Sequence, residues 1–353
     1  MRQKGGGTAS GSERGRPPLH LNFKSGPSVA GVKKLSLNSN YFDTSFLRDV
    51  LSYKLCNDFQ LIGPQTAFAK VFVRTSDSGA AQYLGLYTAT EIVDEAWTSD
   101  RFGTKGGLLM KPRAPVFAKA RDWRTIAERA VPKTTATEAE QARLLAFARL
   151  VNNASDETFA RELPEYIDLD NYLRFLVVNV ALANLDSYLA MAKNYYLYLN
   201  PATGKLTWIP WDFDLSFGGF FLCGTPDQRI HLSIDSPATV DDRLVDRVLG
   251  IPGVKQRYHM LMRSFIAKHF NVLALEQQID TLAALIEPAV MQDSRDRSQR
   301  FKASLDSRGR NLPGNGWQVD IGLKKFVEGR VASITKQLDG QSKGERPRFG
   351  FGR

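Results

Sequence analysis

NLDSYLAMAKNYYLYLNPATGKLTWIPWDFDLSFGG, residues 184–219, ends in a run, 208–219, that holds two carboxylates, Asp212 and Asp214, among Trp208, Ile209, Trp211, Phe213, Leu215 and Phe217. An unpaired carboxylate is expensive to bury, so the stretch has to say where these acids point. NYYLYLN and KLTWIPW flank ATGK, a pattern that predicts a β-hairpin. If the second strand runs over 208–217, period-two alternation puts Trp211, Phe213, Leu215 and Phe217 on one face. Asp212, Asp214 and Ser216 then share the other. The aromatic face would anchor the strand and the acid face would open on a cleft, with Gly218 and Gly219 ending it.

Upstream, DLDNYLRFLVVNVALANLDSYL from Asp168 onward predicts a buried helix, with Asp186 and Ser187 where a carboxylate would emerge from the core. Asn194 opens the first hairpin strand, and the second leads directly into Asp212. Helix end, hairpin start and hairpin exit thus converge: an Asp, an Asn eight residues on, and an Asp after the hairpin. Phosphoryl transfer needs such a set, one Asp to orient the attacking hydroxyl and an Asn plus a second Asp to hold divalent ions. Mg²⁺ takes oxygen ligands of this kind, together with phosphate and water.

Further out, PLHLNFK (18–24) and KKLSLNSN (33–40) read as strands. Asp43 reads as the N-cap of a helix over DTSFLRDVLSYKLCNDF, with Phe46, Leu47, Val50, Leu51 and Leu55 at helical spacing. TAFAKVFVR and YLGLYTATEIV form a hairpin across TSDSGAAQ, and GGLLMKP adds a short strand ending near Lys111. Residues 119–145 read as helical, and the chain from LVDRVLG onward as a series of helices. The expected fold is α+β, a β-rich front followed by a helical body that carries one inserted β-hairpin.

The 353 residues carry a net charge of +10. Residues 1–24 hold five Lys or Arg against one acid, and residues 295–353 fourteen against six, so the middle is close to neutral. The ends read as solvated basic tails and RDRSQRFK (295–302) as a solvated helix face. A nucleic-acid groove needs basic residues clustered on a folded face, so no nucleic-acid partner is expected. The longest apolar run, Phe175–Ala183, is too short to span a bilayer. Cys56 and Cys223 make neither a disulfide framework nor a metal motif, and KGGGT near the start lacks phosphate-loop spacing.

The block 184–219 resembles the signature of the CotH (spore coat protein H) family of atypical protein kinases. KGGGT, PLHLNFK, KKLSLN, DTSFLRDVLSYKL, YLGLYTATEIVD and GLLMKP match in family order, up to about residue 335. The resemblance implies a protein-kinase-like two-lobed fold over 1–335, a β-rich lobe to about 115 and a helical lobe over 116–335. Residues 336–353 would be a disordered basic tail. It further implies transfer of the γ-phosphoryl group of ATP to Ser or Thr of a protein substrate, with Mg²⁺ or Mn²⁺. Asp186 would be the catalytic aspartate, Asn194 and Asp212 metal ligands, and Asp214 their support. Lys111 would contact phosphate, and Glu91 would lie where the chain passes the adenine.

Two departures stand out. Lys193 precedes the Asn of NYYLY where the family usually has His, and the start reads as trimmed relative to the family domain, which leaves the compartment undecided. The rival readings are a catalytically silent kinase-like module that docks partners in a surface or coat assembly, and a glycosidase using Asp212 with Asp186 or Asp214.

Overall fold

The computed structural model describes residues 2–3, 16–23, 31–74, 79–239, 243–293, 295–305 and 321–350. KGGGT, part of the TSDSGAAQ turn and the last three residues lie outside the described residues. The first sheet is built from β1 (Arg2–Gln3), β2 (Leu19–Asn22), β3 (Lys34–Asn38), β4 (Thr66–Val73) and β5 (Gln82–Glu91). The second is built from β6 (Leu108–Pro112), β7 (Ala130–Pro132), β8 (Tyr195–Asn200) and β9 (Lys205–Pro210). All pairings are antiparallel, in the orders β1-β2-β3-β5-β4 and β7-β6-β8-β9. From Arg243 on, the described chain is mainly helical: Arg243–Gly250, Pro252–Lys268, Val272–Met291, Arg295–Leu305 and Leu323–Leu338. The fold is therefore α+β, with helices between the strands and a helical C-terminal part.

The hairpin of β8 and β9 is more central than an insertion in a helical body. Leu109 of β6 pairs with Tyr198, so the strand expected to close the front lobe joins this hairpin. The expected boundary at 115/116 thus falls between two strands, β6 and β7, that pair with each other in this sheet. β7, within a stretch expected to be helical, is three residues of Ala-Val-Pro with too little pattern to be seen. Both faces of the hairpin are buried. Tyr195, Leu197, Leu199, Leu206 and Trp208 enter the main core, while Tyr196, Tyr198, Ile209 and Trp211 join Trp97 and Leu109 in a second cluster.

That alternation stops at Asp212, and the expected strand over 208–217 is not formed. β9 ends at Pro210, and residues 214–219 are turns. Asp212 adopts a left-handed backbone, φ 61°. The reversal sends Phe213 into the main core, across from Trp211. Asp214 is consequently buried, not turned into a cleft, and Asp212 is half-buried.

The helix after Asp43 begins at Arg48. Asp43 still works on its start, accepting from the Ser45 and Arg48 backbone N–H groups at 3.0 and 2.9 Å. The basic C-terminal region also departs from the expected tails. Arg297 and Phe301 of the 295–305 helix are buried, as is Arg330. Residues 343–350 run along 222–233: Glu345 N–H donates to His231 O at 2.6 Å and Ser233 N–H to Glu345 O at 2.8 Å. Segment 222–233 has irregular stretches on either side of a short helix, Pro226–Ile230, and their backbone groups need partners, some of which this strap supplies. A Cβ at Gly344 (φ 71°) would lie 2.6 Å from Ser233 Cα, so the close approach requires glycine. Among the described residues no helix is long and apolar enough to cross a membrane.

Candidate active site

The apolar helix Leu169–Ala181 delivers Asp186 to the site. Past its end, the Asn184 amide donates to Asn179 Oδ1 at 3.0 Å, and the Ser187 hydroxyl to Asn184 O at 2.6 Å. These bonds replace the helical ladder and set the loop that carries Asp186. A single turn, Tyr188–Met191, follows, and then Ala192 and Asn194 both take left-handed backbones, φ 48° and 58°. The chain reverses so tightly that Lys193 and Asn194 return to Asp186. Lys193 Nζ lies 2.9 Å from Asp186 Oδ1. Asn194 Nδ2 donates to Asp186 O at 2.6 Å and to its Oδ2 at 3.1 Å.

Asp212 is held from the other side by the Arg48–Asp58 helix. Its N–H donates to the Tyr53 hydroxyl at 2.9 Å, and the Phe213 N–H donates to Asp49 Oδ1 at 2.8 Å. Asn38 of β3 donates to the second Asp49 oxygen at 3.2 Å. The same helix grips the following turn through Arg48 to Ser216 O at 3.1 Å and Ser52 Oγ to Ser216 Oγ at 2.8 Å. Gly218 N–H donates to Leu182 O at 3.0 Å, which ties the acid turn to the Asp186 loop. Gly218 has φ 64° and a Cβ there would strike the Phe326 ring at 2.7 Å. Left-handed non-glycine residues cost of order 1–3 kcal/mol each and persist where their surroundings over-determine them.

These holds bring acids together. Burial, then the Asp212 charge, pushes Asp49 up to about 7. Burial raises Asp186 to about 6, against the opposing pull of Lys193. Asp214 is pushed well above the usual carboxylate range, first by burial and then by Asp212, Asp49 and Asp186. Among the described residues, neither the Asp212 nor the Asp214 carboxylate accepts a hydrogen bond or joins an ion pair. Two neighbouring carboxylates that repel each other are what a divalent cation would relieve. No three His, Cys, Asp or Glu side chains among the described residues converge as a metal-holding group. An ion here would need the Asn194 amide, water and phosphate oxygens as well, the habit of Mg²⁺.

These shifts fix a sign for the pH dependence of stability. Acids whose folded pKa lies above the ordinary 3.8 keep protons in the folded chain that the unfolded chain releases. Stability therefore falls as pH rises from about 4 to about 7. Melting the metal-free protein between pH 4.5 and 8 should give midpoints that fall over this range, and Asp49→Asn should flatten the upper part. Midpoints that rise instead would mean that partners hold these acids charged.

Of the residues expected from the sequence, Asp186, Asn194, Asp212 and Asp214 are brought together. Lys111 flanks them, its Nζ 5.2 Å from the ring centres of both Tyr196 and Trp211. Glu91 has other contacts: its carboxylate accepts from Gln65 N–H at 2.9 Å, Trp97 Nε1 at 3.0 Å and Arg101 at 2.9 Å. It joins the end of β5 to the Glu95–Phe102 helix. Sequence reasoning missed Asp49 and Tyr53. The signal was a buried polar stripe at helical spacing, Arg48, Asp49, Ser52 and Tyr53, beside the apolar Leu51 and Leu55.

A family model described as CotH kinase protein matches residues 1–330. Inner spore coat protein H of Bacillus subtilis (strain 168) is 25% identical over 294 residues, covering 81% of this chain and 77% of that protein. With the match spanning nearly all of the chain, both sheets and every element that positions the acids, the chain belongs to the CotH kinase protein family.

Proposed function

We propose that the chain is an atypical protein kinase that moves the γ-phosphoryl group of ATP to a Ser or Thr hydroxyl of a protein, with Mg²⁺ or Mn²⁺. The observation that supports this most is the meeting of Asp186 and Asn194 with Asp212 and Asp214, at two backbone positions, Asn194 and Asp212, held left-handed. Asp212, Asp214 and Asn194 would hold the metal, which when bound offsets the charge of the nucleotide phosphates. Asp186 orients the acceptor hydroxyl and takes its proton as the new O–P bond forms. Its raised pKa, about 6, brings it closer to the working range of a general base. Lys111, whose Nζ lies 5.2 Å from the Trp211 ring centre, would contact phosphate. Glu91 shapes the crossing from the first sheet through Trp97 and Arg101.

The second reading, a silent kinase-like module that docks partners, draws on the ion pair that occupies Asp186 Oδ1. Two measurements separate them: the thermal shift with Mg²⁺ or Mn²⁺ and ATP, and transfer of labelled γ-phosphate to the chain itself or to casein. The kinase reading expects metal-dependent stabilisation by ATP and label transfer in the wild type. In Asp186→Asn the stabilisation should persist and the transfer should drop by about 10³-fold, since the positioned base is lost. Stabilisation without transfer in the wild type would favour the silent module. No response to ATP under any metal would overturn the kinase reading and any nucleotide binding by a silent module.

A further inference from the structure

We infer that Lys193 is a phosphate-binding residue, whose ammonium pairs with Asp186 and reaches the terminal phosphoryl group of a bound nucleoside triphosphate. The inference rests on the nucleotide-binding reading above and names the residue that tells a triphosphate from a diphosphate.

The local backbone is built around this side chain. Lys193 sits between Ala192 at φ 48° and Asn194 at φ 58°, and the double reversal aims it back at Asp186, 2.9 Å away. A lysine that merely faced solvent would need no such strain on either side. Exposure is lopsided across the pair: the Asp186 side chain is 12% exposed and that of Lys193 37%. The acid is thus the fixed, inner partner. The ammonium stands on its open side, on a flexible four-carbon stem with three donors.

Charge balance says what that position is for. Asp49, Asp186 and Asp214 crowd the inner site around Asp212, whose charge acts on all three. A polyanion entering such a field needs positive charge on the side it enters from. A metal held by Asp212 and Asp214 would answer the inner acids. The phosphoryl group to be transferred would have to meet the acceptor that Asp186 orients, and there Lys193 would supply the cation. One ammonium can keep a hydrogen bond to Asp186 while giving a second to a phosphate oxygen, and charge-assisted bonds of this kind are the strong ones.

The test is isothermal titration, in the presence of Mg²⁺, of wild type, Lys193→Gln and Lys193→Arg with ADP and with a non-hydrolysable ATP analogue. Lys193→Gln should bind the analogue about ten-fold more weakly and ADP within about two-fold of wild type, the loss of one charge-assisted bond to the third phosphate. Lys193→Arg, which keeps the charge, should keep most of the preference for the analogue. The partly exposed side chain predicts unchanged melting of the metal-free Lys193→Gln chain, so folding and binding are read separately. If Lys193→Gln weakens both nucleotides equally or neither, the inference is overturned, and Lys193 acts only in holding Asp186. A wild type that binds neither nucleotide overturns the kinase reading, and this inference with it.

Discussion

Replacing Asp212 with Asn should abolish metal-dependent ATP binding, cut phosphate transfer by about 10³-fold or more, and leave a metal-free chain that melts higher than wild type. The two halves of this expectation have one cause. The Asp212 carboxylate accepts no hydrogen bond among the described residues, yet its charge raises the pKa of Asp49, Asp186 and Asp214, and of the tyrosines Tyr53 and Tyr196. Among these acids it is a repelling charge. Removing it should stabilise the metal-free chain by on the order of 1 kcal/mol, about one pKa unit of repulsion. Asn is the substitution of choice, because it tolerates the left-handed backbone that Ala resists. The N–H to Tyr53 is a backbone group and survives the change. Calorimetry with and without Mg²⁺ and ATP reads both halves. A variant that keeps the metal-dependent shift, or whose metal-free form is destabilised by more than about 2 kcal/mol, the cost of a lost structural hydrogen-bond pair, would make Asp212 a structural acid and remove the centre of the proposed site.

The sequence showed the hairpin because both of its faces alternate and both are apolar. It hid the turn after it, because a left-handed Asp carries none of the glycine signal by which such reversals are usually seen. Extending the alternation through Asp212 therefore put Asp214 on an open face, whereas the reversal buries it. Asp186 and Asn194 were legible from spacing, since each sits at the end of an element whose pattern is strong. Asp49 and Tyr53 were not, since reading a helix by its apolar positions passes over a buried polar stripe. The Arg- and Gly-rich end reads as loose by composition. Its order comes from backbone bonds to a loop more than a hundred residues earlier, which no local pattern encodes.

Arg330→Met should be the most destabilising single substitution in the helical part, and it should loosen the Asp186 loop first. Arg330 is fully buried. Its guanidinium donates to Val180 O at 2.9 Å, Ala181 O at 3.3 Å, Ile230 O at 3.0 Å and Leu232 O at 2.7 Å. Two of these carbonyls end the helix that delivers Asp186, where orphaned acceptors need donors and the helix dipole favours a cation. The other two belong to the loop that receives the C-terminal strap. Burial presses the arginine down to about 9, still above neutral, so the side chain stays charged at pH 7. Met keeps the length and the packing but removes every donor. Each carbonyl left dry costs about 1–3 kcal/mol, so the total should exceed about 3 kcal/mol, a large share of a typical domain's 5–15. Lys, a point charge without the fork, reaches fewer of the four and should fall between. Urea denaturation gives the global loss, and hydrogen exchange at residues 182–187 gives the local one. If Arg330→Met unfolds within about 1 kcal/mol of wild type, the value of a single net hydrogen bond, these carbonyls find water, and the helix end does not depend on Arg330. If instead exchange at 182–187 quickens while the global transition is still intact, the last helix is what keeps Asp186 in place.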